Sequence, residues 1–108
     1  MEEFIPYATQ DINEEDINEV VKTLKSGWLT TGPKVKEFED ALCSYTSCKN
    51  AIAVNSGTAA LNIAVKALEL PEGSEIITTP FTFVADSNVM LYNNLKPILA
   101  DIEKNTRN

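Results

Sequence analysis

The 108-residue chain contains no histidine and only two cysteines, Cys43 and Cys48. Common zinc sites need four cysteines or a mixture of cysteine and histidine, so these two residues cannot complete one. Cys43 falls among the apolar positions of a predicted helix, and Cys48 lies just beyond its end. We therefore expect no bound metal and two free thiols in a reducing compartment.

The chain also has no excess of basic residues and no apolar run of membrane-spanning length. The residues Met1-Glu2-Glu3-Phe4 have neither the basic nor the apolar region of a secretory leader, so none is expected. Sixteen acidic and nine basic residues give a formal net charge of -7, which disfavours sequence-independent binding to nucleic acid. These absences predict a cytoplasmic protein with no nucleic-acid partner and no membrane partner. A composition of 44% hydrophobic and 23% charged residues is typical of one globular domain or a piece of one.

Two helices are predicted in the first half of the chain. Asn13 can cap the first helix, whose first turn is acidic, and Ser26-Gly27 ends it. Pro33 suits the first turn of the second helix. We expect each helix to bury an apolar face, formed in the first by Ile17, Val20, Val21 and Leu24 and in the second by Val35, Phe38, Leu42 and Tyr45.

From position 50 the pattern changes to short apolar segments that alternate with helices. Strands are predicted at 51–54, 75–78 and 96–102, and helices at 58–68 and 83–93. This alternation predicts an α/β fold with right-handed βαβ units and a mostly parallel sheet covered on both faces. Ligands bind such sheets outside the carboxyl ends of the strands, so the residues that follow each strand are the informative ones.

The turn Asn55-Ser56-Gly57-Thr58 follows the first predicted strand. Gly57 permits a tight turn and close approach of the backbone, and the free amides at the start of the next helix favour an anion such as phosphate. An ordinary Ser/Thr cap that joins strand to helix has the same spacing. The residues alone leave both interpretations open.

Two aromatic residues, Phe81 and Phe83, follow the second predicted strand, where a merely structural turn more often has small polar residues. One is predicted to stack on a planar ligand and the other to pack in the core. The glycine fingerprints of dinucleotide and Walker-type sites are absent. A phosphate site beside an aromatic platform favours pyridoxal 5'-phosphate (PLP), with a dinucleotide-binding α/β domain as the alternative fold.

Motifs along almost the whole chain carry a family likeness: Ile5-Pro6-Tyr7, Ser26-Gly27-Trp28-Leu29-Thr30-Thr31-Gly32-Pro33, Asn55-Ser56-Gly57-Thr58-Ala59-Ala60-Leu61, Ile76-Ile77-Thr78-Thr79-Pro80, Thr82-Phe83-Val84-Ala85 and Ala100-Asp101-Ile102. On these motifs the chain resembles the N-terminal part of the DegT/DnrJ/EryC1/StrS family of PLP-dependent sugar aminotransferases, which have the fold type I (aspartate aminotransferase-like) architecture. It is most similar to the branch that aminates C4 of a UDP-4-keto-6-deoxy-N-acetylhexosamine on the way to pseudaminic acid.

The resemblance implies a partial transferase domain over residues 1–108. Residues 1–49 would be an N-terminal helical and substrate-loop segment, and residues 50–108 a βαβαβ cofactor-binding part. Thr58 and Ala59 would bind the PLP phosphate, with Gly57 beside them, and Phe83 would stack on the pyridine ring. Positions that line the sugar-nucleotide site in this branch are matched by Tyr7, Gly27, Trp28, Leu29, Thr30 and Gly57.

Two of these residues have structural alternatives: Trp28 can be a hydrophobic plug between helix and loop, and Tyr7 can anchor the chain. The resemblance also implies that the Schiff-base lysine, and the aspartate that pairs with the pyridine nitrogen, lie outside these residues. The expected activity is transfer of an amino group, from glutamate, to a nucleotide-linked 4-keto-6-deoxy sugar by a homodimer. A non-catalytic cofactor-binding or subunit-interaction fragment is one alternative, and a fragment with no independent role is another.

Overall fold

The computed structural model describes residues 4–107, which form two compact units divided between Ile52 and Ala53. The first unit contains helices α1 (Glu14–Lys25) and α2 (Pro33–Thr46). The second contains α3 (Gly57–Ala67), β1 (Glu75–Thr78), α4 (Ala85–Tyr92) and β2 (Lys96–Leu99). The predicted assignment of residues 1–49 and 50–108 to two parts of a transferase domain stays a prediction. Residues 1–3, on which the expectation of no leader partly depends, lie outside the described part.

Helix α1 begins with a capping box, because side chain and backbone satisfy each other at its first turn. Asn13 Oδ1 accepts hydrogen bonds from the amides of Glu15 (2.7 Å) and Asp16 (3.1 Å). Asp16 Oδ2 in turn accepts from the Asn13 amide at 2.9 Å. The helix is closed at Ser26, and Gly27 follows with a φ of +78°, a left-handed conformation that favours glycine. Both ends lie where the sequence predicts them.

Helix α2 starts with Pro33 in its first turn, as predicted. An ion-pair network joins this turn to α1, since Lys34 Nζ lies 2.8 Å from a carboxylate oxygen of Glu19 and 2.6 Å from one of Glu37. Hydrogen bonds to Glu19 and Glu37 raise the pKa of Lys34 above its usual range. Exposed pairs of this kind contribute little stability, so this network marks a contact between α1 and α2 rather than the cause of it.

The apolar faces predicted for α1 and α2 are present but are not buried. No residue of either helix is buried, and Val20, Phe38 and Tyr45 are 61%, 56% and 90% exposed. The prediction of burial is therefore wrong for this unit. Periodicity identifies the side of a helix that can be covered, whereas burial needs a second layer of structure, and two helices do not enclose a core.

The sheet of the second unit has two parallel strands among the described residues, with Glu75 paired to Lys96 and Thr78 to Leu99. The predicted segment 51–54 does not belong to it, because a strand requires a hydrogen-bond ladder and the observed ladder joins only β1 and β2. Strand β2 also ends earlier than predicted. After Leu99 one further bond continues the pairing, from the Ala100 amide to the Thr78 carbonyl at 2.8 Å.

Helix α4 is the centre of the second unit, since it contacts α3 and both strands. It starts at Ala85, two residues later than predicted. The buried side chains of the described residues all belong to α4 or to the turn that follows it: Ala85, Val89, Met90 and Leu95. A part-buried hydrogen bond from Asn93 Nδ2 to Asn62 Oδ1 (2.8 Å) ties α4 to α3. Within residues 4–107, no helix is long and apolar enough to cross a membrane.

Candidate functional site

The start of α3 forms the first part of the candidate site. Ser56 has an extended backbone, and its Oγ accepts a hydrogen bond from the Ala59 amide at 3.1 Å. Among the described residues, none accepts a hydrogen bond from the amides of Gly57 or Thr58. The predicted cap is therefore present, and two further amides stay available for an anion at the positive end of the helix dipole.

Gly57 is not required by the conformation of the protein itself. A Cβ atom built at Gly57 would meet no heavy atom within 4 Å, and the residue lies in the helix with no left-handed φ. The predicted tight turn is therefore wrong as an explanation of this glycine. Gly57 does line a cavity, and the predicted close approach of a ligand to its backbone stays a prediction.

This cavity connects the start of α3 to the turn before α4. It has a volume of about 540 Å³ and is lined by Gly57, Thr58, Ala60, Leu61, Phe83, Ala85 and Asp86. Volumes of about 300–1,000 Å³ are usual for small-molecule sites. Ala59 is not part of the lining, and its amide is held by the serine cap. Three predicted cofactor-binding residues, Gly57, Thr58 and Phe83, are thus brought together in one cavity.

The two phenylalanines of the turn before α4 differ in their surroundings. Phe83 lines the cavity and is 74% exposed, so a face of its ring is open to a ligand. Phe81 is 63% exposed, and the guanidinium of Arg107 lies 6.0 Å from its ring centroid, within the range of a cation–π contact. Neither ring is in the core. The prediction that one phenylalanine packs there is wrong, because the buried positions are taken by α4 itself and Leu95.

Asp86 is a cavity residue that the sequence analysis missed. It is the one ionisable side chain in the lining, and its Oδ2 accepts a hydrogen bond from the Thr82 hydroxyl. The bond spans the residues on either side of Phe83 and links the turn to the first turn of α4. The spacing in the sequence could have identified Asp86 as a site residue. It lies three residues after Phe83, and the start of a helix brings residues at that spacing to the same side.

The predicted sugar-nucleotide residues other than Gly57 all lie in the first unit. Tyr7 is fully exposed, so the structure does not show it anchoring the chain. Leu29 is 63% exposed, and Thr30 is exposed beside it. Gly27 supplies the left-handed conformation that turns the chain out of α1. The side chains of Tyr7, Leu29 and Thr30 are therefore open to a ligand.

Trp28 stands on a loop held by close backbone contacts. Its amide donates to Ser26 Oγ at 3.1 Å. A Cβ at Gly32 would lie 2.9 Å from the Trp28 carbonyl oxygen, so only glycine fits there without a shift. The indole is 63% exposed and forms one wall of a cavity of about 100 Å³, lined also by Lys22, Thr23, Ser26, Pro33 and Lys34. The Trp28 side chain is therefore exposed, and the alternative of a hydrophobic plug between helix and loop is wrong.

Parallel strands, and a ligand-sized cavity between a helix start and an aromatic ring, define an α/β protein with a small-molecule site. Solved structures agree. A putative sugar aminotransferase from Streptococcus pneumoniae, Spr1654, matches with a TM-score of 0.88 and 42% identity over 94% of this chain and 26% of its own, in PLP, PMP and apo forms. PseC of Helicobacter pylori, an aminotransferase involved in the biosynthesis of pseudoaminic acid, matches with a TM-score of 0.86 and 36% identity over 91% of this chain and 27% of its own.

The chain belongs to the DegT/DnrJ/EryC1/StrS aminotransferase family, whose model matches residues 10–108. The spore coat polysaccharide biosynthesis protein SpsC of Bacillus subtilis (strain 168) is 46% identical over 105 residues, which are 97% of this chain and 27% of SpsC. The predicted family, fold class and PLP dependence of the family are thereby confirmed. The chain spans about a quarter of the length of these relatives.

Proposed function

We propose that this chain supplies cofactor- and substrate-binding residues of a PLP-dependent aminotransferase acting on a nucleotide-linked 4-keto-6-deoxy sugar. The observation that carries the proposal is the single cavity in which Gly57 and Thr58, at the start of α3, meet Phe83. Family membership supports the reaction type. The likeness to PseC supports a sugar of the pseudaminic acid route. Glutamate is proposed as the amino donor on the family resemblance alone.

The start of α3 binds the cofactor phosphate. The amides of Gly57 and Thr58 point at the anion without a competing acceptor, and the Thr58 hydroxyl adds a donor. The Ala59 amide joins them when the Ser56 side chain rotates away, since a serine cap is worth only about 1 kcal/mol. None of the residues that line the cavity is basic, so backbone amides and hydroxyls carry the affinity for phosphate.

Phe83 orients the pyridine ring, and the Thr82–Asp86 hydrogen bond steadies the turn that carries it. Ring stacking with a phenylalanine contributes about 0.5–1.5 kcal/mol. When bound, PLP acts as the electron sink for the carbanion of the amino donor. The contribution of this chain is to fix the position of the ring relative to the phosphate, so that the reacting carbon meets its substrate in one orientation.

The exposed loop Gly27-Trp28-Leu29-Thr30, together with Tyr7, contacts the sugar nucleotide in this proposal. An exposed indole and an exposed phenol provide flat surfaces with hydrogen-bonding edges, which suit a uracil or a pyranose ring. We assign the covalent step to no lysine of this chain, since none lies in the sequence context that the family resemblance implies for the Schiff-base lysine. The complete enzyme would be a cytoplasmic homodimer.

A chimera tests the proposal. The segment of Helicobacter pylori PseC that matches this chain is replaced by the chain itself, and PLP binding and amino transfer are measured with PseC's own substrates. We expect the chimera to bind PLP and to transfer the amino group. A chimera that folds and binds PLP but transfers no amino group would contradict the proposed substrate class, and one that folds without binding PLP would contradict the proposed cofactor site.

Two matched variants of the chimera separate the site from its surroundings. Phe83→Ala removes the proposed stacking ring and should weaken PLP binding about 2- to 13-fold, the equivalent of 0.5–1.5 kcal/mol. Phe81→Ala removes the same side chain two residues earlier, outside the cavity, and should leave PLP affinity unchanged. Equal losses in both variants would show that Phe83 has no special role.

A further inference from the structure

The two cysteines of the chain lie side by side at the end of α2. Cys43 is in the last turn of the helix and half-buried, and Cys48 follows the helix and is exposed. Ser47, between α2 and Cys48, has a left-handed backbone with φ of 60°, which turns the chain back over the helix end. As a result, the two Sγ atoms are 3.8 Å apart, although five positions separate the residues.

Neither the fold nor the proposed function gives these thiols a task. The core of the described residues lies in the second unit, and neither cysteine lines the PLP cavity or the cavity beside Trp28. Cys48 Sγ also lies 3.3 Å from the carbonyl oxygen of Asn50, so its position is fixed on two sides. A held, exposed thiol beside a second thiol is an arrangement typical of oxidation sites.

We propose that Cys43 and Cys48 form a dithiol modification site that a small hydroperoxide, such as hydrogen peroxide, oxidises to an intramolecular disulfide. The sulfur atoms must approach each other from 3.8 Å to about 2.05 Å. We assign this movement to rotation of the exposed Cys48 side chain. The product is a short ring that joins the last turn of α2 to the segment after it.

The surroundings of the two thiols assign them different roles. Hydrogen bonds from Thr46 and from Cys43 lower the pKa of Cys48, so its thiolate is the more populated of the two. Desolvation, and then the neighbouring Cys48, raise the pKa of Cys43, which therefore stays a thiol. Cys48 is also the exposed thiol and Cys43 is half-buried, so Cys48 attacks peroxide and Cys43 resolves the product.

The proposed chemistry balances in two steps. The Cys48 thiolate attacks one peroxide oxygen, the O–O bond breaks, and a sulfenic acid and hydroxide form; the hydroxide takes up the proton that Cys48 lost. The Cys43 sulfur then attacks the sulfur of Cys48, the S–O bond breaks, and the leaving oxygen takes the Cys43 proton and departs as a second water. Two thiols are oxidised to one disulfide, and one peroxide is reduced to two molecules of water.

Intact mass spectrometry of the 108-residue chain after treatment with one equivalent of hydrogen peroxide tests the site. We expect a mass loss of two hydrogen atoms, loss of both titratable thiols and a Cys43–Cys48 cross-linked peptide in a non-reducing digest. The reaction should be reversed by dithiothreitol. Stable oxygen adducts on Cys48, or disulfides between two chains at micromolar protein concentration, would overturn the proposal.

Three controls link the result to the folded geometry. In Cys43→Ser the sulfenic acid on Cys48 should persist long enough to be trapped by dimedone, and in Cys48→Ser the remaining thiol should react at least several-fold more slowly. Disulfide formation in the wild-type chain should also slow in concentrated urea, because unfolding removes the turn at Ser47 that brings the sulfurs together. An equal rate in urea would show that proximity along the sequence alone explains the pairing, and would refute a structured site.

Discussion

Replacing Gly57 by alanine separates the stability of the fold from the affinity of the proposed site, because the two should change in opposite directions. The added methyl group meets no atom of the protein within 4 Å, and the residue has no left-handed φ to protect. A glycine replaced by alanine at such a position stabilises a protein by about 0.4–1 kcal/mol, mainly by restricting the unfolded chain. The midpoint of urea unfolding should therefore stay unchanged or rise.

Ligand binding should respond to the same methyl group with a loss. Gly57 lines the cavity beside Thr58, where the proposed phosphate approaches the backbone. One extra carbon in a closely fitted site costs about 1–3 kcal/mol, which corresponds to roughly 10- to 200-fold in affinity. Titration of the PseC chimera with PLP, followed by absorbance, measures the effect, and far-UV circular dichroism checks the fold. A variant that binds PLP as tightly as the unaltered chimera would refute the assignment of Gly57 to a ligand contact.

Two further predictions concern the packing of each unit. Asn93→Ala should lower the stability of the second unit by about 1–3 kcal/mol in urea unfolding, since the Asn93 side chain donates to Asn62 Oδ1 and to a carbonyl one turn earlier in α4. A double-mutant cycle with Asn62→Ala that shows no coupling would contradict a direct link between α3 and α4. Hydrogen bonds from Lys34 and then Lys22 lower the pKa of Glu19. The ionised Glu19 carboxylate therefore stabilises the folded state above pH 4.5, and this stabilisation is lost as the pH falls through the lowered pKa. Glu19→Gln should therefore lessen the acid sensitivity of the first unit below pH 4.5, as measured by circular dichroism. An unchanged acid profile would exclude these ion pairs as its source.

The sequence predicted the positions of the helices better than their burial, for a physical reason. Caps and turns act locally. The ends of α1 are set by Asn13 and Ser26, and the start of α2 is set by Pro33, however the rest of the chain packs. Burial is set by what packs against a face, which no local pattern contains. The faces of α1 and α2 have the periodicity of core helices, yet Val20 and Tyr45 are exposed.

The same distinction applies to the candidate site. The turn at Ser56-Gly57 indicated both a cap and an anion site, and the structure shows a cap that leaves two amides available. The family resemblance assigned the stacking role to Phe83, but the local pattern alone could not choose between Phe81 and Phe83, because both follow the same strand and have the same side chain. The choice depends on the direction in which the turn leaves β1, and on Arg107, which lies near Phe81 only in the folded chain.

The exposed area of the chain shows which part of the fold can support a precise site. Two separate compact domains of half this 11.9 kDa mass would together expose about 7,200 Å². The chain exposes 9646 Å², so much of its apolar surface is uncovered. Most helices and strands are therefore stabilised by local hydrogen bonds rather than by packing. The exception is the cluster around α4, where Val89 is 1% exposed. Ala85 belongs both to that cluster and to the wall of the cavity, so the proposed PLP site is built directly on the best-packed part of the chain.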